Sequence, residues 1–219
     1  TVVAGPFQRY AVAAGRVEAE VYLREADAVL ARRYLDAVGR YLVLYETLLG
    51  PYPYAKFAVV ENRWETGYGM PSFTLLGSRV LRLPFILDSS LPHELLHNWW
   101  GNGVLVDARD GTWSEGLTAY LADYLIQEAR GRGAEYRRGA LQRYESFAAE
   151  QRDAPLRAFR ARHDDASQAV GYGKTLMLFH ALRREMGDAA FLAGLRDFAA
   201  RRMHTSASFA DLLADLGRA

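Results

Sequence analysis

The 219-residue chain contains no cysteine. Disulfides, thiolate metal ligands and a cysteine nucleophile are thereby excluded together, so any metal must be held by His, Asp or Glu. Excess charge is missing as well: 27 Lys and Arg against 26 Asp and Glu leave a formal +1. No basic surplus is available to neutralise a phosphate backbone, and nucleic acid is not expected as a partner. No apolar run reaches the roughly 20 residues of a transmembrane helix, and the opening TVVAGPFQRY has no basic stretch followed by an apolar core. The chain as given is expected to be soluble. Its compartment is unknown, and an extracytoplasmic or envelope-associated full-length protein is compatible with it. Lysine is nearly absent too, with Lys56 and Lys174 alone among the basic residues that are otherwise arginine, a bias without functional content.

What is present is half apolar and 12% aromatic, enough to bury a substantial core in one domain. The weak alternation in residues 8–23 predicts a strand or hairpin edge, with Gly15 a turn or bulge. Leu30, Tyr34, Val38, Tyr41, Tyr45 and Leu48 recur at helical spacing within 25–49, and Gly50-Pro51 ends the pattern. YAKFAVVEN and PSFTLLGSRVL read as strands joined by the glycine-rich WETGYGM. From residue 91 the pattern turns helical, over about 91–100, 113–130, 134–150, 173–187, 189–202 and 207–216. The expectation is an α+β fold of one domain, 1–219. Residues 1–90 form a small strand-bearing lobe with one long helix, 91–219 form a helical lobe, and a cleft lies where they meet. The chain begins without methionine and reads as a fragment of a longer protein.

The chemistry concentrates in LPHELLHNWWGN, residues 91–102. His93 and His97 are one helical turn apart on one face and can converge on one ion. Glu94 sits one step round, able to act on water at the metal without competing for the metal itself. A third protein ligand is offered by Glu115 in GTWSEGLTAYLADYLIQEA, with seventeen residues between it and His97. Two imidazoles and one carboxylate leave a zinc ion a free fourth position, an arrangement that lowers the pKa of bound water to about 7. An acidic residue in a first helical turn also suits the helix dipole. The apolar stripe Leu117, Tyr120, Leu121, Tyr124 and Leu125 beside Glu115 favours a metal partner. His163, His180 and His204 have no second histidine at ligand spacing, and His180 reads as a core histidine.

These residues resemble the gluzincin metallopeptidases of the aminopeptidase N type. The family pattern is H-E-x-x-H, eighteen residues, then glutamate in a W-x-x-E-G setting; the chain has HELLHNWWGN and then TWSEG. LLGPYPYAKFAVVEN and GYGKTLMLFHAL are similar to two further family stretches, and together the likeness covers about residues 45–185. The resemblance implies a thermolysin-like catalytic domain that hydrolyses peptides. Zinc would sit on His93, His97 and Glu115, Glu94 would act as general base, and Tyr172 would donate to the oxyanion. Gly67, Gly69 and Met70 align with the family's substrate-binding G-x-M-E-N stretch. There, the family's glutamate that grips a free amino terminus is replaced by Pro71, with Glu61 and Glu65 the nearby acids able to stand in. The family's flanking domains are not in these 219 residues. Aminopeptidase-like hydrolysis is the leading expectation. An endopeptidase or oligopeptidase of the same fold, or a non-catalytic zinc-bearing module, remain alternatives.

Overall fold

The computed structural model describes residues 2–65, 67–148 and 152–218. The chain divides into two compact units, 1–102 and 103–219.

The first unit is built on a five-stranded sheet in the order β1-β2-β3-β5-β4. Strands β1 (Gln8–Ala14) and β2 (Val17–Leu23) form the expected antiparallel hairpin, turning at Gly15, whose φ of +63° suits a residue without a β-carbon. Helix α1 (Ala28–Leu49) connects β2 to the parallel strand β3 (Lys56–Asn62). It begins where the Asp27 carboxylate accepts the Leu30 N–H at 2.8 Å, an N-cap that satisfies an orphan donor. It stops at Gly50, with φ +93°, and Leu30, Tyr34, Val38, Tyr41 and Tyr45 form its buried stripe. Strand β5 (Phe73–Gly77) pairs parallel with β3, and β4 (Gly67–Met70) pairs antiparallel with β5 at the sheet edge.

Beyond β5 the sequence expectation of a strand running through GSRVL gives way to a 3-10 turn at Val80–Arg82. Helix α2 (Ser90–Leu96) carries the histidines and contacts α1, β4 and β5. It is shorter than the expected 91–100. Trp99 and Trp100 are fully buried, and the Trp99 indole N–H donates to the Gly50 carbonyl at 3.2 Å, so the chain leaves helical geometry to place both rings. Gly101, at φ +109°, completes the turn.

The second unit is mostly helical. A two-residue strand β6 (Leu105–Val106) leads to α3 (Ser114–Thr118), which passes through a π-helical segment, Ala119–Tyr124, into α4 (Leu125–Ala129). Helix α5 (Gly133–Phe147) follows. Then α6 (Asp165–Gln168) passes through a second π segment, Ala169–Lys174, into α7 (Thr175–Met186). Helix α8 (Asp188–Arg202), strand β7 (Ser206–Ala207), paired with β6, and α9 (Phe209–Leu216) complete it. Trp113 is fully buried, its N–H donating to the Ala207 carbonyl at 2.9 Å. The Asp110 carboxylate accepts the first N–H groups of α9, from Phe209 and Ala210.

Candidate active site

In the first unit, His93 of α2 and His97 at its C-terminal cap have ring centroids 4.8 Å apart and planes at 79°. The His97 Nδ1 lies 3.0 Å from the Trp100 carbonyl oxygen. A carbonyl can only accept, so Nδ1 carries the proton and the lone pair sits on Nε2. A metal-binding histidine needs this kind of backbone partner to fix its tautomer and ring plane. The donor set therefore fits a zinc ion at His97 Nε2.

Glu94 faces β4. A β-carbon built on Gly69 would fall 2.7 Å from Glu94 Oε2 and 3.4 Å from the His97 Cβ, and one on Gly67 would fall 3.4 Å from Glu94 Oε1. The two glycines let the edge strand run close against the histidine helix, and a side chain at position 69 would displace the Glu94 carboxylate.

Met70 pairs with Phe73 across β4 and β5, so Pro71 and Ser72 are the whole connection between them. Ser72 has φ +70°, and proline followed by a residue of positive φ is the pattern of a type II turn. The Ser72 N–H donates to Asn98 Oδ1 at 2.7 Å, while Asn98 Nδ2 donates to the Leu95 carbonyl at 3.1 Å. Asn98 is fully buried and ties the hairpin corner to the end of α2. Sequence reasoning assigned Asn98 no role, although an asparagine directly after the second histidine of HELLH and a Pro-Ser dipeptide between two strands were both visible signals.

Neither nearby glutamate stands in for the acid missing at Pro71. Glu61 is 4% exposed, accepts the Arg24 N–H at 2.7 Å and pairs with the Arg82 guanidinium at 2.8 Å. Glu65 accepts the N–H groups of Arg79 and Val80 at 2.9 and 3.2 Å. Glu61 is committed to the end of β2 and to the turn after β5, and Glu65 to the start of that turn.

The second unit carries Glu115 and Tyr172. Glu115 is in the first turn of α3. The turn is led in by Gly111, whose φ of +100° and packing against the Leu156 carbonyl leave no space for a β-carbon. Tyr172 lies in the second π segment and lines a pocket of about 150 Å³ with Asp123, Tyr136 and Leu176 among its walls. A π segment widens the helix by one residue per turn and is frequent at functional sites. Outside these residues, His180 is half-buried with Nδ1 3.3 Å from the Tyr120 hydroxyl. Burial lowers its pKa, consistent with a neutral, hydrogen-bonded histidine.

Comparison with known proteins bears on the same stretches. Aminopeptidase 2, mitochondrial, of Saccharomyces cerevisiae is 23% identical over 216 residues, covering 90% of this chain and 23% of that protein. Aminopeptidase RNPEPL1 of Mus musculus is 30% identical over 106 residues, 43% of this chain and 14% of that protein. The crystal structure of an M1 zinc metallopeptidase from Deinococcus radiodurans superposes with a TM-score of 0.75 at 26% identity, covering 98% of this chain and 49% of that one. Native yeast LTA4 hydrolase shares the fold, with a TM-score of 0.70 at 17% identity over 96% of this chain and 36% of that one. The chain thus spans about a quarter of the length of the yeast aminopeptidase and about half of the Deinococcus structure. The family described as the peptidase family M1 domain matches residues 88–219, which include both histidines, Glu94, Glu115 and Tyr172, and the chain belongs to peptidase family M1.

Proposed function

We propose that this chain is the thermolysin-like catalytic part of a zinc-dependent peptidase of aminopeptidase type, acting on peptides. The observation that carries the reading is the α2–β4 arrangement. The Trp100 carbonyl fixes the His97 ring through Nδ1, and the Glu94 carboxylate is held against the glycines of an edge strand.

His93, His97 and Glu115 would hold the zinc ion. Two imidazoles and one carboxylate are a donor set that leaves a zinc ion a free fourth position. When bound, zinc supplies Lewis-acid polarisation of the scissile carbonyl and acidifies water. Glu94 takes a proton from the attacking water and returns it to the leaving amine nitrogen. The Tyr172 hydroxyl donates a hydrogen bond to the oxygen that becomes negative as the carbonyl turns tetrahedral. The edge strand β4, at Gly67, Gly69 and Met70, pairs with an extended peptide backbone, because its glycines permit close approach. Flanking domains of the longer protein complete the substrate contacts.

A second reading, cleavage without need of a free amino terminus, is favoured by one observation: Pro71 occupies the hairpin corner while Glu61 and Glu65 are engaged elsewhere. A non-catalytic zinc module is disfavoured, because it has no use for a glutamate beside the metal. The test is hydrolysis by the full-length protein of one peptide in free-amine and N-acetylated forms. Aminopeptidase action predicts cleavage of the free-amine form alone; equal cleavage of both contradicts it and supports the second reading.

A further inference from the structure

Phe159 lies between the two helical stretches of the second unit. Its side chain is 6% exposed, and its ring lies on Gly171, where a β-carbon would come within 2.1 to 2.5 Å of three ring carbons. The same ring meets Tyr172 edge-on, with centroids 6.3 Å apart and planes at 79°. The Phe159 backbone is tied in the other direction, since its carbonyl accepts the Thr112 N–H at 3.0 Å and the Thr112 hydroxyl at 3.4 Å. Arg160 donates to the Arg109 carbonyl at 3.1 Å. The segment around Phe159 is thereby clamped to the lead-in of α3, three residues before Glu115.

The two stretches also meet directly. A β-carbon on Gly116 would fall 2.2 Å from Thr175 Cγ2 and 3.0 Å from the Gly171 carbonyl oxygen. Glycines at 116 and 171 therefore allow a close approach that no larger residue permits. Tyr172 sits inside a π segment, where the i→i−4 ladder is interrupted and helical hydrogen bonding alone holds the backbone less firmly. Its placement needs support from outside the helix.

We propose that Phe159 is a positioning residue that fixes Tyr172 relative to Glu115, by wedging its ring against Gly171 while its backbone holds Thr112. The inference rests on Tyr172 being the oxyanion donor. A donor displaced by a fraction of an ångström loses much of its effect on a transition state, whereas a merely structural core residue acts on turnover whatever stands at 172.

The experiment measures kcat, KM and zinc content of the full-length protein as wild type, Phe159→Leu, Tyr172→Phe and the double variant. Phe159→Leu is expected to lower kcat about tenfold in the wild-type background with KM and zinc content kept, and to change it less than about twofold beside Tyr172→Phe. An equal loss in both backgrounds, or no loss in either, overturns the proposal. Unchanged turnover in Tyr172→Phe alone overturns the Tyr172 reading and the positioning role with it. If Phe159→Leu does not yield folded protein, Phe159→Met, whose unbranched flexible side chain fills irregular gaps, is judged by the same criteria.

Discussion

Gly69 and Glu94 share one space: a β-carbon on the glycine would lie 2.7 Å from the Glu94 carboxylate oxygen. The obstructing atom is the far end of a flexible side chain, so Gly69→Ala can be relieved by swinging the carboxylate away. The cost then falls on chemistry more than on the fold. Gly69→Ala is expected to keep bound zinc and lower kcat/KM by about a hundredfold, since a small displacement of a general base removes most of its contribution. Steady-state kinetics with metal analysis check this. Wild-type kcat/KM in the variant would show that the contact carries no catalytic weight.

The corner of the β4–β5 hairpin is joined to the end of the histidine helix by a half-buried hydrogen bond, from the Ser72 N–H to Asn98 Oδ1. Removing the acceptor leaves a half-buried donor unsatisfied. Asn98→Ala should destabilise the protein by about 1–3 kcal/mol and raise KM for extended peptides more than it lowers kcat. Ser72→Gly keeps the N–H and relieves a positive φ, so it should raise stability by about 0.5–1 kcal/mol. Denaturant unfolding of both variants measures the two effects with opposite signs.

Pro71 stands where the resembling family places the glutamate that grips a free amine. Pro71→Glu offers a carboxylate at the same corner, at the end of β4, without changing α2. The expected outcome is a rise of about tenfold in the preference for free-amine over acetylated peptide, the effect of one charge-assisted hydrogen bond. An unchanged ratio would mean that the corner does not face the substrate's amino end.

Glu61 makes the first unit sensitive to acid. Burial raises its carboxyl pKa, but hydrogen bonds from the Arg24 N–H and the Arg82 guanidinium outweigh burial and leave the pKa below its ordinary value of 4.5. With the folded pKa below the unfolded one, the ionised group stabilises the protein above the unfolded value. That contribution is lost as pH falls below 4.5 and through the folded pKa. Glu61→Gln should lower stability at neutral pH by about 2 kcal/mol and flatten the acid limb of the unfolding midpoint against pH. An acid limb as steep as wild type would assign the sensitivity to other carboxylates.

How far these features could be read in advance depended on whether their cause was local. The α1 stripe and its Gly50-Pro51 stop were legible because helical burial repeats every three to four residues. That His93, Glu94 and His97 fall on one helical stretch was legible from the helical pattern around them. The early end of α2 was not, since it follows from burying Trp99 and Trp100, a tertiary demand on a stretch with adequate helix propensity. The π segments at 119–124 and 169–174 have no local pattern of their own. Phe159 is an isolated aromatic among arginines whose importance comes only from what packs on it, and the two-residue pair of β6 and β7 is too short to show alternation.

The central claim is that Glu94 moves protons beside a zinc ion held by His93, His97 and Glu115. It is tested most directly by zinc stoichiometry and peptide hydrolysis of the full-length protein, as wild type and as Glu94→Gln. One zinc per chain is expected in both, with hydrolysis lower in the variant by about a thousandfold. Undiminished hydrolysis by Glu94→Gln, or a wild-type protein that hydrolyses peptides without binding zinc, would contradict it.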